Sequence, residues 1–223
     1  MSRRKGSFYP PGRLYDAVLG FPLRSVRRKI AWVVASEGLF PCLDVCCGTG
    51  SELRLLRKSG EPQEDSRFAV GLDKSFGMVR YAAALAAPLP FINGDAFRLP
   101  LKDGLFKSII ISFALHDKPP EGRAAMASEA MRVLAPGGLL ILADFERPWD
   151  AASRRGAVLT GLVEWLAREP HYGNGREFLR RGGLRGFLAE HGFVERRRRD
   201  VAAASFSIVA AVPSSPRDLG RGR

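Results

Sequence analysis

The chain has 223 residues, of which 46% are hydrophobic and 26% charged, a composition that fits one folded domain with a sizeable core. It contains no apolar run near the ~20 residues that span a bilayer, and no apolar stretch follows its first charges as in a secretion signal. These features argue against a transmembrane segment and predict a cytoplasmic protein. The formal net charge of +12 is dispersed along the chain, which favours a solvated surface, although a nucleic-acid partner stays open.

The cysteines and histidines give no sign of a structural cross-link. Cys42, Cys46 and Cys47 are odd in number and two of them are adjacent, which is not a disulfide framework and is typical of a reducing compartment. The three histidines are scattered along the chain. We therefore expect neither a disulfide nor a bound metal.

Short apolar runs alternate with helical patterns along the chain. Strands are predicted at 41–46, 67–72, 89–93, 106–113, 138–145, 193–200 and 205–212, and helices at 22–37, 50–59, 75–86, 121–134, 152–168 and 176–190. The runs 108–113 and 139–142 are apolar on both faces, as in parallel strands that helices cover on both sides. The last two strands are too close in the chain for a parallel crossover, so they must pair antiparallel if they are neighbours. The pattern predicts the α/β class: a doubly wound, Rossmann-like sheet of about seven strands, with the last strand antiparallel and helices on both faces.

A glycine turn follows the first predicted strand. The strand passes through Asp44 into Gly48-Thr49-Gly50, and a helix begins directly afterwards. Two glycines allow a tight turn and a close approach of ligand to backbone, at the sheet edge where such folds bind ligands. Leu53 stands where a G-x-G-x-x-G pattern has its third glycine, so the turn disfavours NAD and FAD.

Acids also end the next two predicted strands. Asp73 follows the second strand, where a carboxylate can accept both ribose hydroxyls of an adenosine, although it could also cap the helix that starts near Ser75. Asp95 ends the third strand and could bind an adenine amino group. Three acids in register with a glycine turn predict a nucleoside-binding site.

These pieces occur in one order that resembles the class I S-adenosylmethionine methyltransferases, and within them the ubiquinone and menaquinone C-methyltransferase group. The resemblance covers roughly residues 14–150. It rests on Tyr15-Asp16, Leu43 to Gly50, Gly71-Leu72-Asp73, Gly94-Asp95-Ala96, Phe106 to Phe113, Arg132 to Gly138 and Asp144 to Pro148. It departs from that group at Cys46, where many members carry a glycine, and at 114–119, where the quinone enzymes have a different polar segment.

The resemblance implies S-adenosyl-L-methionine as cofactor and a set of residues that hold it. These cofactor-binding residues are Asp44, Gly48, Thr49, Gly50, Asp73, Asp95, Ala96 and Ser112. The sequence also predicts three parts of the chain: a helical lid at 1–38, which precedes the first strand, the methyltransferase domain at 39–212, and a disordered tail at 213–223 that is rich in Pro, Gly, Ser and Arg.

His116 and Asp117 directly follow the fourth strand and are the candidate catalytic residues. An imidazole there can act as a base near neutral pH, although a histidine that only caps the next helix or packs over the cofactor is an open alternative. His171 and Tyr172 lie in a later loop that could cover the acceptor.

We expect methyl transfer to a small-molecule acceptor, a quinone-like or aromatic carbon or oxygen. The alternatives are an RNA methyltransferase, which the basic charge favours, and a cofactor-binding protein without catalysis. The sequence leaves the oligomeric state open.

Overall fold

The structure, a computed structural model, describes residues 12–58, 68–146, 171–201 and 206–214. The helices within these ranges are α1 (Gly12–Ser36), α2 (Ser51–Lys58), α3 (Phe76–Ala86), α4 (Pro120–Val133), α5 (His171–Arg180) and α6 (Gly183–Glu190). The strands are β1 (Cys42–Val45), β2 (Ala69–Asp73), β3 (Phe91–Asn93), β4 (Phe106–Ser112), β5 (Leu134–Phe145), β6 (Phe193–Val201) and β7 (Phe206–Pro213). The helix predicted at 152–168 lies outside the described residues, as does the tail predicted at 213–223 except for its first two residues, of which Pro213 ends β7.

The seven strands form one sheet in the order β3-β2-β1-β4-β5-β7-β6. β1, β2, β3, β4 and β5 pair in parallel, and β7 runs antiparallel between β5 and β6. Asp44 of β1 pairs with Gly71 on one side and Ile110 on the other, so the carboxyl ends of the central strands meet at one edge. The predicted fold class and the reversed last strand are confirmed.

The central strands are buried on both faces, which explains their unbroken apolar sequences. Ile109 and Ile111 of β4 pack into one core with α4, α5 and α6, whereas Ile110 packs into a second core with α1 and α2. The outermost strand β6 carries the exposed Arg196 and Arg199, and cations on an edge strand discourage pairing with another chain.

Two helices differ from their predicted bounds. The helix predicted at 176–190 is divided between α5 and α6, because Gly182 and Gly183 both have positive φ angles that interrupt it. At Gly183 a Cβ would lie 2.8 Å from the carbonyl oxygen of Phe145, so no other residue fits there. α1 begins about ten residues before the predicted start at 22.

The C-terminal half of α1 packs into the second core through Val26, Ile30 and Val34, all of which are buried. The division of the chain into lid, domain and tail stays a prediction. No helix in the part of the chain described is long and apolar enough to cross a membrane.

Candidate active site

The turn between β1 and α2 lies at the carboxyl edge of the sheet. Gly48 and Gly50 have φ angles of 52° and 68°, a left-handed conformation that glycine adopts without strain. A Cβ at Gly50 would come within 3.0 Å of Ala82 and Phe91, whereas a Cβ at Gly48 would meet open space. Gly50 is therefore needed for packing, and Gly48 leaves its backbone accessible to a ligand.

Asp73 ends β2 next to this turn and organises it. One carboxylate oxygen accepts the Gly48 N–H at 2.9 Å, and the other accepts the Ser75 N–H at 2.8 Å. Ser75 itself caps α3 by accepting the Met78 N–H, so Asp73 precedes the cap residue. A carboxylate has about four acceptor positions, which leaves Asp73 able to bind two ligand hydroxyls.

Asp95 follows the next strand along the chain, and its side chain is 41% exposed. Its carboxylate accepts the Lys74 ammonium at 2.8 Å and the Phe97 N–H at 3.0 Å. The Lys74 hydrogen bond holds the pKa of Asp95 below its usual range. Asn93 donates to the carbonyl oxygens of Asp73 and Lys74, which ties the two strand ends together. Ala96 is buried beside this pair.

Two buried polar atoms near the turn lack a hydrogen-bond partner among the residues that the structure describes: Nε of Arg27 and Oδ2 of Asp44. Arg27 lies 3.5 Å from the Glu52 carboxylate, and Glu52 accepts the Ser112 hydroxyl at 2.7 Å. Burial raises the pKa of Asp44 well above its usual range, Glu52 raises it further and Arg27 lowers it. Nε of Arg27 is thus ion-paired with Glu52 but makes no hydrogen bond, and Oδ2 of Asp44 makes none either. Because buried polar atoms without a hydrogen bond are costly, the two atoms indicate a ligand that supplies an acceptor to Arg27 and a donor to Asp44.

Helix α1 reaches this region through Tyr15 and Asp16. Asp16 accepts the buried Thr49 hydroxyl at 2.7 Å and pairs with Arg54 at 2.9 Å, so it joins α1 to the turn and to α2. Burial raises the pKa of the Tyr15 phenol, Arg27 lowers it, and Glu52 raises it again. One wall of the site is therefore built by residues that precede the first strand.

His116 forms a carboxylate–imidazole pair at the same sheet edge. Its Nδ1 lies 2.7 Å from Oδ1 of Asp144, and both side chains are buried. Asp144 also accepts the N–H groups of Leu115, His116 and Phe145, so backbone bonds fix its carboxylate. With Nδ1 bound to Asp144, the neutral ring would carry its proton there and leave Nε2 as the basic nitrogen.

Asp117 is placed differently from its neighbour. Its carboxylate pairs with the ammonium of Lys118, and its carbonyl oxygen accepts the Asn174 amide at 2.9 Å. Arg123 joins the same corner by donating to the Lys118 carbonyl oxygen and pairing with Glu177. These bonds hold α5 over the loop after β4. His171 and Tyr172, which the sequence predicts to lie in a loop, instead begin α5, and their side chains lie outside the described residues.

The strand topology thus brings most of the predicted site residues to one edge. These residues belong to the neighbouring strands β1, β2 and β4. Asp44 lies near the end of β1 and the glycine turn follows it, Asp73 ends β2, and Ser112 ends β4 shortly before His116. Four further residues of this region carry polar contacts that the sequence did not indicate as site contacts: Asp16, Arg27, Glu52 and Asp144.

Residues 42–138 match the family described as "Methyltransferase domain". These residues include β1, the glycine turn, the acids of β2 and β3, and the loop after β4. This segment of the chain is similar to methyltransferase domains. The matched segment contains β1 to β4 and the first residues of β5, and β6 and β7 follow it.

Two relatives of this domain are named as demethylmenaquinone methyltransferases. The one from Renibacterium salmoninarum is 38% identical over 146 residues, which are 64% of this chain and 56% of the relative. The one from Beutenbergia cavernae is 39% identical over 106 residues, or 48% of this chain and 41% of the relative. The similarity thus spans about half the length of these relatives.

Solved structures agree with the methyltransferase fold. A SAM-dependent methyltransferase from Aquifex aeolicus aligns over 92% of this chain and 98% of its own, with a TM-score of 0.59 and 19% identity. A protein from Bordetella parapertussis described as possibly exported aligns over 96% of this chain and 76% of its own, with a TM-score of 0.65 and 22% identity. At these identities the likeness concerns the fold alone.

Proposed function

We propose that the protein transfers a methyl group from S-adenosylmethionine to a small-molecule acceptor. The observation that carries this proposal is the pair of buried atoms that make no hydrogen bond, Nε of Arg27 and Oδ2 of Asp44, beside the glycine turn. The amino-acid end of S-adenosylmethionine has a carboxylate for Arg27 and an ammonium group for Asp44. A dinucleotide offers phosphates but no ammonium group, so it would leave Asp44 without a partner.

The other cofactor-binding residues fit the rest of the same molecule. Asp73 would accept the two ribose hydroxyls. The turn at Gly48, Thr49 and Gly50, which is open to a ligand at Gly48, would lie against the sulfonium side. Asp95 and Ala96 would contact the adenine. Ser112, which donates to Glu52, would lie near the methyl group.

When bound, the cofactor supplies a methyl group on a positively charged sulfur, which makes that carbon reactive without further activation. The work of the protein is then to hold the acceptor in line and to exclude water. The buried Asp44 and Arg27 would orient one end of the cofactor, and Asp73 would orient the other. Two fixed ends leave the carbon between them little freedom.

His116 would act as the general base on the acceptor. Asp144 holds Nδ1, so Nε2 would take a proton from a phenolic oxygen or an activated carbon as the new bond forms. Asp144 would also stabilise the imidazolium that results. Asp117 would help to shape the acceptor side of the site through its contacts with Lys118 and Asn174.

The acceptor that we propose is a quinone-like or aromatic molecule. The two relatives are named for demethylmenaquinone, a small molecule and not RNA, which supports this class over an RNA acceptor. The loop 114–119 departs from the sequence of the quinone enzymes. The acceptor of this chain can therefore differ from theirs in its ring and in the substituents of that ring. The free thiols of Cys42, Cys46 and Cys47 agree with a place in the cytoplasm.

The proposal is tested by incubating the protein with methyl-labelled S-adenosylmethionine and three pools: small-molecule extract, demethylmenaquinone and total RNA. We expect label in an organic-soluble aromatic product and none in RNA. Label in RNA alone would overturn the acceptor class. Cofactor binding without labelled product from any pool would indicate a binding protein instead of an enzyme.

A further inference from the structure

The outer face of α1 carries an exposed apolar stripe. The described residues include nine large hydrophobic side chains that are exposed, and four of them lie on this helix. Their exposed fractions are 54% for Leu14, 60% for Val18, 84% for Phe21 and 66% for Trp32. Exposed apolar groups that cluster in this way mark an interaction surface more often than scattered ones do.

Helix geometry places these four side chains in one line. At about 100° per residue they fall within an arc of roughly 60°, and at 1.5 Å per residue the line extends about 27 Å from Leu14 to Trp32. The opposite face contains Val26, Ile30 and Val34 and is buried in the core. Among the described residues, the stripe therefore points away from both hydrophobic cores.

The charges that flank the stripe all have one sign. Arg13, Arg24 and Arg28 are exposed along one side of it, and the half-buried Lys29 lies on the other. None of these four makes an ion pair within the described part of the chain. The single acid of α1, Asp16, points inward to Arg54.

We propose that this face of α1 binds the surface of an anionic lipid bilayer. The helix would lie in the plane of the membrane, with the four apolar side chains between the headgroups and the arginines at the lipid phosphates. A second copy of the chain is a poorer occupant, because a face-to-face contact would bring the cations together. An anionic bilayer matches both the apolar stripe and its charge, and the net charge of +12 adds attraction at longer range.

This surface is separate from the active site on the same helix. Tyr15, Asp16 and Arg27 contact the site from the inner face, whereas Phe21 and Trp32 point outward. A bound membrane would thus lie beside the wall of the site without blocking it. The inference does not depend on methyl transfer, and vesicle binding is measured without any cofactor.

The test is co-sedimentation of the whole chain with vesicles. We expect binding to vesicles of mixed phosphatidylcholine and phosphatidylglycerol, little binding to phosphatidylcholine alone, and release at high salt. The double variant Phe21→Ser/Trp32→Ser should lower the partition coefficient by about tenfold or more. Phe76→Ser is the matched control, because Phe76 is 65% exposed on α3 and should leave binding unchanged.

A second pair of variants tests the charges. Arg24→Glu/Arg28→Glu should abolish vesicle binding. Arg196→Glu/Arg199→Glu changes the charge by the same amount on β6, and this variant should retain most of the vesicle binding. The emission of Trp32, with Trp149→Phe and Trp165→Phe as background, should shift to the blue when anionic vesicles are added. This shift reports the stripe directly even if a serine variant folds poorly.

Three results would overturn the proposal. The first is no binding to anionic vesicles, and the second is equal loss in both arginine pairs. The third is a sedimenting mass of two chains that Phe21→Ser returns to one, without vesicle binding, which would identify the stripe as a protein contact.

Discussion

The buried guanidinium of Arg27 should anchor one end of the cofactor only. A hydrogen bond to a charged group contributes about 1.5–3 kcal/mol, so Arg27→Met should weaken S-adenosylhomocysteine binding by about 10- to 150-fold. Binding of 5′-methylthioadenosine, which lacks the amino-acid end, should change little. Calorimetric titration of both ligands measures this, with the exposed neighbour Arg28→Met as control. Equal losses for both ligands would show that Arg27 only supports the fold.

Asp73 should matter for both ligands, since it faces the nucleoside end. Asp73→Ala removes an acceptor for two hydroxyls and should weaken binding by about 1.5–3 kcal/mol. It also frees the N–H groups of Gly48 and Ser75, so Asp73→Asn, which retains one acceptor oxygen, should lose less. Calorimetric titration of each variant with both ligands measures these losses, after circular dichroism has verified that the variant is folded. Unchanged affinity would reduce Asp73 to a residue that organises the turn.

His116 should carry the proton transfer. General-base catalysis contributes about 10²–10⁴-fold, so His116→Ala should lower turnover by that factor and leave cofactor affinity nearly intact. The rate of the parent enzyme should rise with pH as the base loses its proton, and His116→Ala should remove that dependence. Asp144→Asn should lower turnover and alter that pH profile, because the amide can present a donor to Nδ1. Near-normal turnover of His116→Ala on the true acceptor would make His116 a structural residue.

The sequence could indicate those site residues that follow strands but not those that reach them from elsewhere. Asp44, Asp73 and His116 stand directly in or after apolar runs, where the fold places ligands. Glu52 meets Ser112 across 60 positions of the chain, and Arg27 becomes recognisable only because its Nε is buried without a hydrogen bond. No local pattern encodes such contacts.

At the scale of elements, α1 should combine a core face and a free face. Ile30 is fully buried, so Ile30→Ala should lower the free energy of unfolding by about 2–5 kcal/mol. Trp32, two residues later, is 66% exposed, and Trp32→Ala should change it by less than about 0.5 kcal/mol. Urea unfolding of the two variants measures the difference. A small effect at Ile30 would mean that α1 is a detachable lid.

The sequence predicts which segments are helices and strands better than it predicts the residues at which they begin and end. All seven strands are present, but β5 begins at Leu134 instead of 138, although the sequence predicts Leu134 as the last residue of the preceding helix. A register shift opposite, between Phe106 and Ser108 of β4, accommodates this extension. The break at Gly182 is likewise a matter of φ angles that a helical periodicity does not reveal.

At the scale of the whole molecule, burial of the Asp44 carboxylate lowers the free energy of unfolding of the ligand-free protein. The raised pKa of Asp44 means that the folded protein holds this proton more tightly than the unfolded chain does. Below about pH 3.9 the carboxyl is protonated in both states and costs nothing. As the pH rises, the unfolded chain releases the proton first, so the free energy of unfolding falls until the pH passes the raised folded value.

Asp44→Asn should therefore make the ligand-free protein less sensitive to rising pH. Urea unfolding at about pH 4.5 and about pH 8 should show a stability that declines more in the parent than in the variant. At the higher pH, saturating S-adenosylhomocysteine should stabilise the parent more than the variant. A ligand stabilises in proportion to ln(1 + [L]/Kd), and the variant binds more weakly because it has lost a partner for the ammonium group. Parallel pH curves would show that Asp44 is not strained in the free protein. The same increment from ligand in both proteins would show that its carboxylate does not bind the cofactor.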